Sequence, residues 1–203
     1  MHIALFGATG GTGMQVVEQG LAAGHSVSAL ARDPAKLSAR DGLTVVQGDV
    51  LNQSAADACV EGTDAVICVL GTKPGHEPVE VAGTERILAA MAKHGVHRLI
   101  AVSSMGVGDS IDQINLAFRI IMNLTLKRIM QAKEEQERLI MASDTDWTIV
   151  RPGGLTDGPP TGTYKAGTEK SIKAKQVSRA DVADFVLKQL TDDRYVRQTP
   201  AVS

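Results

Sequence analysis

Short apolar runs rich in β-branched residues alternate along the chain with longer segments of helical periodicity. Gly, Asp or Pro bounds each run, as is typical of strands. Six runs predict strands: HIALF (2–6), SVSAL (26–30), LTVVQ (43–47), DAVICVL (64–70), HRLIAVS (97–103) and DWTIV (146–150). Helices are predicted near 12–23, 53–61, 80–94 and 113–142. This alternation favours parallel strands joined by helical crossovers.

The pattern predicts a doubly wound α/β fold of the Rossmann type, with a six-stranded, mostly parallel sheet in the order 3-2-1-4-5-6 and helices on both faces. At 203 residues one such sheet can bury its own core, so we expect a single domain over residues 1–203. After the sixth strand, Pro and Gly become frequent, and a final helix begins with Ser178 as its predicted N-cap. Residues 151–178 are therefore predicted to form the roof of a substrate site.

Composition limits the partners. The formal net charge is −2, and one Trp, two Tyr and three Phe leave little for base stacking. No apolar run approaches the roughly 20 residues of a membrane span, and the opening MHIALFGATGG lacks the basic segment of a signal peptide. Cys59 and Cys68 have no metal-ligand spacing, so no metal site is predicted. We expect a cytoplasmic protein, a monomer rather than an oligomer, with a small-molecule substrate and no nucleic-acid or membrane partner.

A glycine-rich segment, GATGGTG, directly follows the first predicted strand and opens the first helix. Glycines at these places permit a tight turn, a close approach of backbone N–H groups to a pyrophosphate, and close packing of helix on strand. The phosphates would lie at the positive N-terminus of the helix. The residues predicted to bind are Gly7, Thr9, Gly10, Gly11, Thr12 and Gly13. The alternative is a glycine-rich turn without a ligand.

The residue that follows the second strand favours NADP(H) over NAD(H). Strands specific for NAD end in an acidic residue that binds the ribose 2′-hydroxyl, whereas here the position is Arg32. A guanidinium there can bind a 2′-phosphate, and Lys36 can add a second cation. The alternatives are an ion pair of Arg32 with Asp33 or Asp41, and a solvated Lys36.

Asp49, in the QGDV segment that ends the third strand, is placed to bound the adenine through its carboxylate and the amide of Val50. It can also form the turn that precedes the next helix. The two roles are compatible.

Six segments together carry a family resemblance: GATGGTG, ALARDPAKL, VVQGDVLN, DAVICVLGT, IAVSSMGVGDS and TIVRPGGLTDGPPTG. Over essentially its whole length the chain resembles atypical short-chain dehydrogenases of the NAD(P)H-binding, NmrA-like type, and among them the biliverdin and flavin reductases. The resemblance departs at Gly153 and Gly154, where the flavin reductases have a proline and a histidine. The loop from Lys73 to Gly83 is also about two residues shorter.

The resemblance implies a set of cofactor contacts. The Gly7 to Gly13 turn would hold the pyrophosphate, Arg32 and Lys36 the 2′-phosphate, and Asp49 and Val50 the adenine. The loops after the fourth, fifth and sixth strands would line the rest of the cofactor with Val69, Leu70, Gly71, Lys73, Ser103, Pro152, Gly153, Gly154 and Leu155. Ser104 matches the serine that faces the nicotinamide and the substrate, and it is the predicted catalytic residue.

Ordinary short-chain dehydrogenases use a Tyr-x-x-x-Lys pair for proton transfer, and this chain lacks one. If Lys133 were the lysine, the tyrosine position would be Ile129. Lys133 and Glu137 instead fit a solvated helix face. Hydride transfer from NADPH to a flavin, a biliverdin-like tetrapyrrole or another conjugated acceptor, such as a quinone, needs little acid–base help. We therefore expect a reductase, with a redox sensor that binds NADP(H) without turnover as the alternative.

Overall fold

The computed structural model describes the backbone of all 203 residues and the side chains of all except residues 117, 118 and 121–123. Six strands lie where the apolar runs predict them: β1 (His2–Phe6), β2 (Ser26–Ala31), β3 (Leu43–Gln47), β4 (Ala65–Cys68), β5 (Arg98–Val102) and β6 (Asp146–Pro152). Ile3 and Leu5 are buried against one face of the sheet, and Ala4 and Phe6 against the other. Burial on both faces explains why the runs are continuously apolar.

The sheet confirms the predicted order and extends it. The order β3-β2-β1-β4-β5-β6 is parallel throughout, with two short strands beyond it. The chain has four short strands besides the six main ones: β7 (Gly154–Thr156), β8 (Ala166–Gly167), β9 (Gln176–Ser178) and β10 (Ala201–Val202). β10 pairs parallel with β6, and β8 pairs antiparallel with β10. β7 and β9 form a separate parallel pair.

The helices are α1 (Gly11–Ala22), α2 (Gln53–Val60), α3 (Glu80–His94), α4 (Leu116–Thr125), α5 (Lys127–Met141) and α6 (Arg179–Lys188). Helices α1, α2, α3, α5 and α6 cover the two faces of the sheet. Val16 of α1 and Val182 of α6 belong to the apolar cluster on one face. Cys59, Met91 and Ile140, from α2, α3 and α5, belong to the cluster on the other. In the part of the chain that the structure describes, no helix has the length and apolar character needed to cross a bilayer.

The single helix predicted over 113–142 is wrong. A short 3-10 helix (Gly108–Gln113) comes first, and the rest divides into α4 and α5. Leu126, between them, has φ −123° and ψ 10°, which is not helical. The break lets Leu126 and Met130 pack on a small third apolar cluster around Met105, and apolar periodicity alone does not reveal such a change of direction.

The carboxyl ends of the six parallel strands lie at one edge of the sheet. The connection from β1 leads to β2 on one side, whereas β4 lies on the other side of β1. Ligands of doubly wound sheets bind at such a reversal of strand order. The loops that follow β1 and β4 therefore meet where a cofactor is expected.

Candidate functional site

The turn after β1 is formed by backbone atoms. Gly7 has φ +88°, a left-handed conformation that favours glycine. The N–H of Gly10 donates to the carbonyl of Gly7 (3.1 Å), and Gly10 is the N-cap residue of α1 but has no side chain to cap it. The first N–H groups of α1 thus face outward at the positive end of the helix, as binding of an anion requires.

Two of the glycines are dictated by close approaches. A β-carbon on Gly7 would lie 2.6 Å from the carbonyl oxygen of Val69, so the turn touches the backbone of the loop after β4. A β-carbon on Gly13 would lie 2.2 Å from the carbonyl oxygen of Gly7. Thr9 and Gly10 are exposed on the turn, and Thr12 is buried beneath it. The predicted turn therefore exists with the geometry that its glycines require.

Arg32 follows β2 directly and is exposed. No ion pair with Asp33 or Asp41 is found for it among the described side chains. Asp33 instead accepts from the N–H of Ala35 (3.2 Å), and Lys36 Nζ lies 4.0 Å from Asp33 Oδ2. Arg32 thus remains a cation available to a 2′-phosphate, while Lys36 lies at ion-pair distance from Asp33.

The loops after β3 and β4 are held by carboxylates. Asp49 Oδ1 accepts from the N–H of Leu51 (2.9 Å), the predicted turn role, and Val50 is buried. The fully buried carboxylate of Glu80 accepts from both the N–H (2.9 Å) and the hydroxyl (2.8 Å) of Thr72. Thr72 lies between two predicted contacts, Gly71 and Lys73. Glu80 therefore fixes the loop that begins at Val69 and Leu70, a role the sequence did not indicate.

Two serines after β5 lie at the same edge. Ser103 donates its N–H to the carbonyl of Val150 (2.8 Å), but its buried Oγ has no hydrogen-bond partner among the described residues. Ser104 is half-buried, and its hydroxyl donates to the carbonyl of Met105 (3.1 Å). Met105 in turn donates its N–H to the carbonyl of Pro152 (2.9 Å), so Ser104 lies beside the loop after β6.

The loop after β6 contacts the end of the predicted roof. Gly153 has no room for a side chain, because a β-carbon there would lie 2.2 Å from the carbonyl oxygen of Lys175. Gly154 donates its N–H to the same carbonyl (2.9 Å), and Leu155 is exposed. Gly153 therefore allows the roof to lie directly on this loop, whereas a β-carbon on Gly154 would make only an ordinary contact, 3.9 Å from the same carbonyl oxygen.

Lys133 is buried, and its predicted place on a solvated helix face is wrong. Its Nζ donates to the carbonyls of Leu70 (2.6 Å) and Val102 (2.9 Å) and to Gln136 Oε1 (3.0 Å), which uses all three protons. Burial lowers the pKa of the ammonium. The lysine thus links the carboxyl end of β5 to the loop after β4 through hydrogen bonds to their carbonyl groups.

Arg151 and Glu137 form a buried ion pair, so the prediction that Glu137 lies on a solvated helix face is wrong as well. Nε and Nη2 of Arg151 donate to the two carboxylate oxygens of Glu137 (3.1 and 2.6 Å), and each side chain is 4% exposed. A signal was present in both elements. Arg151 alternates with Trp147 and Ile149 on one face of β6, and Glu137 lies on the same stripe of α5 as buried Ile140. A charge at such positions requires a buried partner.

The site fits a dinucleotide. The backbone at Gly7 and Gly13 lies so close to neighbouring carbonyl groups that a side chain at either position would clash, and the N-terminus of α1 that follows has no side-chain cap. A buried hydroxyl without a partner, such as Ser103 Oγ, is costly unless a ligand or water satisfies it. The contacts predicted for individual residues stay predictions.

Comparison with known proteins identifies the family. Residues 7–193 match the family model described as NAD(P)H-binding. An uncharacterised chloroplast protein of Arabidopsis thaliana is 35% identical over 199 residues, which span 92% of this chain and 71% of that protein. A Streptomyces griseus enzyme, (4-alkanoyl-5-oxo-2,5-dihydrofuran-3-yl)methyl phosphate reductase, is 34% identical over 209 residues, which span 99% of this chain and 67% of the enzyme.

A solved structure leads to the same assignment. The anaerobilin reductase ChuY of Escherichia coli O157:H7 superposes with a TM-score of 0.84 and 26% identity, covering 100% of this chain and 96% of that one. The resemblance expected from the sequence is confirmed. The chain belongs to the NAD(P)H-binding family of atypical short-chain dehydrogenases and reductases, a family of NAD(P)H-dependent oxidoreductases.

Proposed function

We propose that the protein is an NADPH-dependent reductase whose acceptor is a flavin, a linear tetrapyrrole or a similar conjugated molecule. Bound NADPH supplies the hydride. The observation that carries the proposal is the ammonium of Lys133, whose three protons are all donated beneath the site. A lysine in that state is not free to lower the pKa of a substrate-facing tyrosine.

The tyrosines support the same choice of acceptor. Tyr164 donates its hydroxyl to Asp184 (2.6 Å) and packs edge-on against Phe185. Burial and the hydrogen bond to Asp184 raise the pKa of Tyr164 to about 12. Tyr195 lies near Thr148, in the first half of β6 and away from the carboxyl ends. An acceptor that spreads the arriving charge over a conjugated system does not need such an acid.

Ser104 and the roof would position the acceptor. The Ser104 hydroxyl donates to Met105 but keeps lone pairs that can accept from a substrate or a water. The exposed ammoniums of Lys165 and Lys175 on the roof would attract a phosphate or propionate group. Two relatives are reductases by name, one of anaerobilin and one of a phosphate ester of an oxo-dihydrofuran. Proximity and orientation would supply most of the rate.

The first test is the consumption of NADPH by the purified protein with riboflavin, its mononucleotide, biliverdin or a quinone as acceptor. We expect turnover with at least one of them, slower turnover with NADH, and none with a simple aliphatic ketone. NADPH binding without turnover on any conjugated acceptor would overturn the proposal in favour of the redox sensor.

A matched pair of variants tests the role of Ser104. Ser104→Ala should lower turnover while the dissociation constant of NADP⁺ stays unchanged. Ser143→Ala is the control. Ser143 follows the last residue of α5, and its hydroxyl donates to the carbonyl of Ile140 (2.7 Å), not to a residue of the site. Equal turnover in both variants would remove Ser104 from the site.

A further inference from the structure

Arg179, the first residue of α6, lies across the glycine turn. A β-carbon built on Gly11 would lie 2.6 Å from Arg179 Cδ and 2.9 Å from Nε. Gly11 is the first residue of α1, so the arginine crosses the helix end where phosphates are expected. The Arg179 side chain is only 28% exposed, which shows that it lies along the protein surface.

The fold itself puts Arg179 in this place. The parallel strands β7 and β9 end with Thr156 paired to Ser178, so Asp157 and Arg179 follow side by side. Arg179 Nη1 donates to Asp157 Oδ1 (2.6 Å). Ser178 caps α6 by accepting from the N–H of Asp181 (3.0 Å), and α6 packs along α1. The position of the Arg179 backbone is therefore set by strand register and helix packing, and the guanidinium is held by Asp157.

The partner of Arg179 is weaker than a cofactor phosphate would be. Asp157 is 89% exposed, and ion pairs of that kind contribute little because water screens them. A pyrophosphate carries more charge and offers the guanidinium a bidentate acceptor.

We propose that Arg179 is a pyrophosphate-binding residue of the dinucleotide site, held across the turn by Asp157 until the cofactor arrives. The turn then supplies backbone donors, and Arg179 supplies the positive charge that GATGGTG lacks. The inference rests on dinucleotide binding and not on the acceptor, so it stands or falls independently of reductase turnover.

The test compares Arg179→Gln with the wild-type protein by calorimetric titration of three ligands. NADP⁺ contains both the pyrophosphate and the 2′-phosphate, NAD⁺ only the pyrophosphate, and adenosine 2′-phosphate only the 2′-phosphate. We expect the dissociation constants of NADP⁺ and NAD⁺ to rise by the same factor, about 10- to 100-fold. Adenosine 2′-phosphate should bind as before.

The other outcomes overturn the proposal. Weakening of NADP⁺ and adenosine 2′-phosphate without NAD⁺ would assign Arg179 to the 2′-phosphate. Equal weakening of all three ligands, or of none, would leave it no specific role at the pyrophosphate. Arg138→Gln is the matched control, since Arg138 pairs with Glu135 (2.7 Å) on an exposed face of α5, and it should change none of the three.

A second variant keeps the proposal testable if Arg179→Gln does not fold. Asp157→Asn removes the competing charge and should tighten NADP⁺ binding by about threefold, as expected for a screened pair. In an Arg179→Lys background the same change should have a smaller effect, because lysine offers no bidentate contact. Unchanged or weaker binding in Asp157→Asn would contradict the exchange.

Discussion

The glycine turn and the roof meet at one site but are built in different ways. In the turn, Gly7 and Gly13 exclude side chains so that backbone atoms can approach within contact distance. The roof is fastened by side chains, among them the carboxylate of Asp181, which accepts from the N–H groups of Thr161 (2.8 Å) and Gly162 (2.9 Å). The turn therefore depends on the absence of side chains at its glycines, whereas the roof depends on hydrogen bonds and ion pairs of charged side chains.

This difference decides how each half responds to change. Steric exclusion is insensitive to pH and salt, whereas ion pairs and carboxylate hydrogen bonds depend on both. The roof contacts are also made between residues far apart in sequence, such as Arg151 with Asp109. We therefore expect mutations of the buried ion pair to act mainly on stability, and mutations of the turn to lower cofactor affinity as well as stability.

The largest expected effect is on the buried pair at the start of the roof. Glu137→Ala leaves the Arg151 guanidinium buried without its main partner, and breaking such a pair costs about 3–5 kcal/mol of unfolding free energy. Urea unfolding would measure it. The control is Glu135→Ala on the same helix, which breaks only the exposed pair with Arg138 and should cost less than about 1 kcal/mol. Similar losses in both variants would contradict the distinction.

The difference between local and long-range contacts explains which features the sequence could predict. The six main strands, their order and the turn follow from local patterns, because apolar runs and glycine spacing lie within short windows. β8 and β10 have two residues each and exist only through long-range pairing, so no local pattern marks them. Lys133 was predicted to face solvent, although it is buried, because a charged residue on an amphipathic helix usually faces water.

Some residues of the site likewise could not be identified from local sequence patterns. Ser104 and the loop after β6 could be named only through the family resemblance, since a strand-end serine carries no local signal of its own. Arg179 carries no local signal that separates it from other basic residues, and its contact with Gly11 depends on the packing of α6 against α1. Such a contact between the two ends of the chain lies beyond local patterns.

The second prediction tests steric exclusion in the turn. Gly13→Ala places a β-carbon 2.2 Å from the carbonyl oxygen of Gly7, and the overpacking costs roughly 1–3 kcal/mol. Opening the turn should raise the dissociation constant of NADP⁺ by up to about 100-fold. Gly10→Ala is the control, because its β-carbon would lie 3.4 Å from the same carbonyl oxygen. The melting temperature of Gly10→Ala should stay near that of the wild type, whereas that of Gly13→Ala should fall. Equal melting temperatures would refute the steric argument.

The third prediction concerns the charged contact expected between Arg32 and the 2′-phosphate. Arg32→Gln should weaken NADP⁺ by about tenfold, the lower end for a charge-assisted hydrogen bond, and leave NAD⁺ unchanged. Lys36→Gln should have a smaller effect, because its ammonium already lies 4.0 Å from Asp33. Calorimetry with both dinucleotides would decide, and equal weakening of NAD⁺ and NADP⁺ would remove Arg32 from the 2′-phosphate site.

The smallest expected effect is the pH-dependent contribution of Asp109 to the stability of the roof. Lys170 and Arg151 lower the pKa of Asp109 from 3.8 to about 2, so its charge stabilises the folded state above the unfolded value and loses that effect as the pH falls from about 4 to 2. The difference in unfolding free energy between wild type and Asp109→Asn should shrink across that window.

Asp109 is 67% exposed, so water screens the contribution, and we expect less than about 1 kcal/mol even at neutral pH. The comparison with Asp109→Asn is necessary because the pKa of Asp181 is also lowered, by hydrogen bonds that outweigh its burial, and would contribute to any acid titration of the whole protein. Added salt should reduce the Asp109 difference further. A difference that persisted at pH 2 would show that this part of the roof is held by packing, like the turn, and that the electrostatic contrast between the two halves does not extend to Asp109.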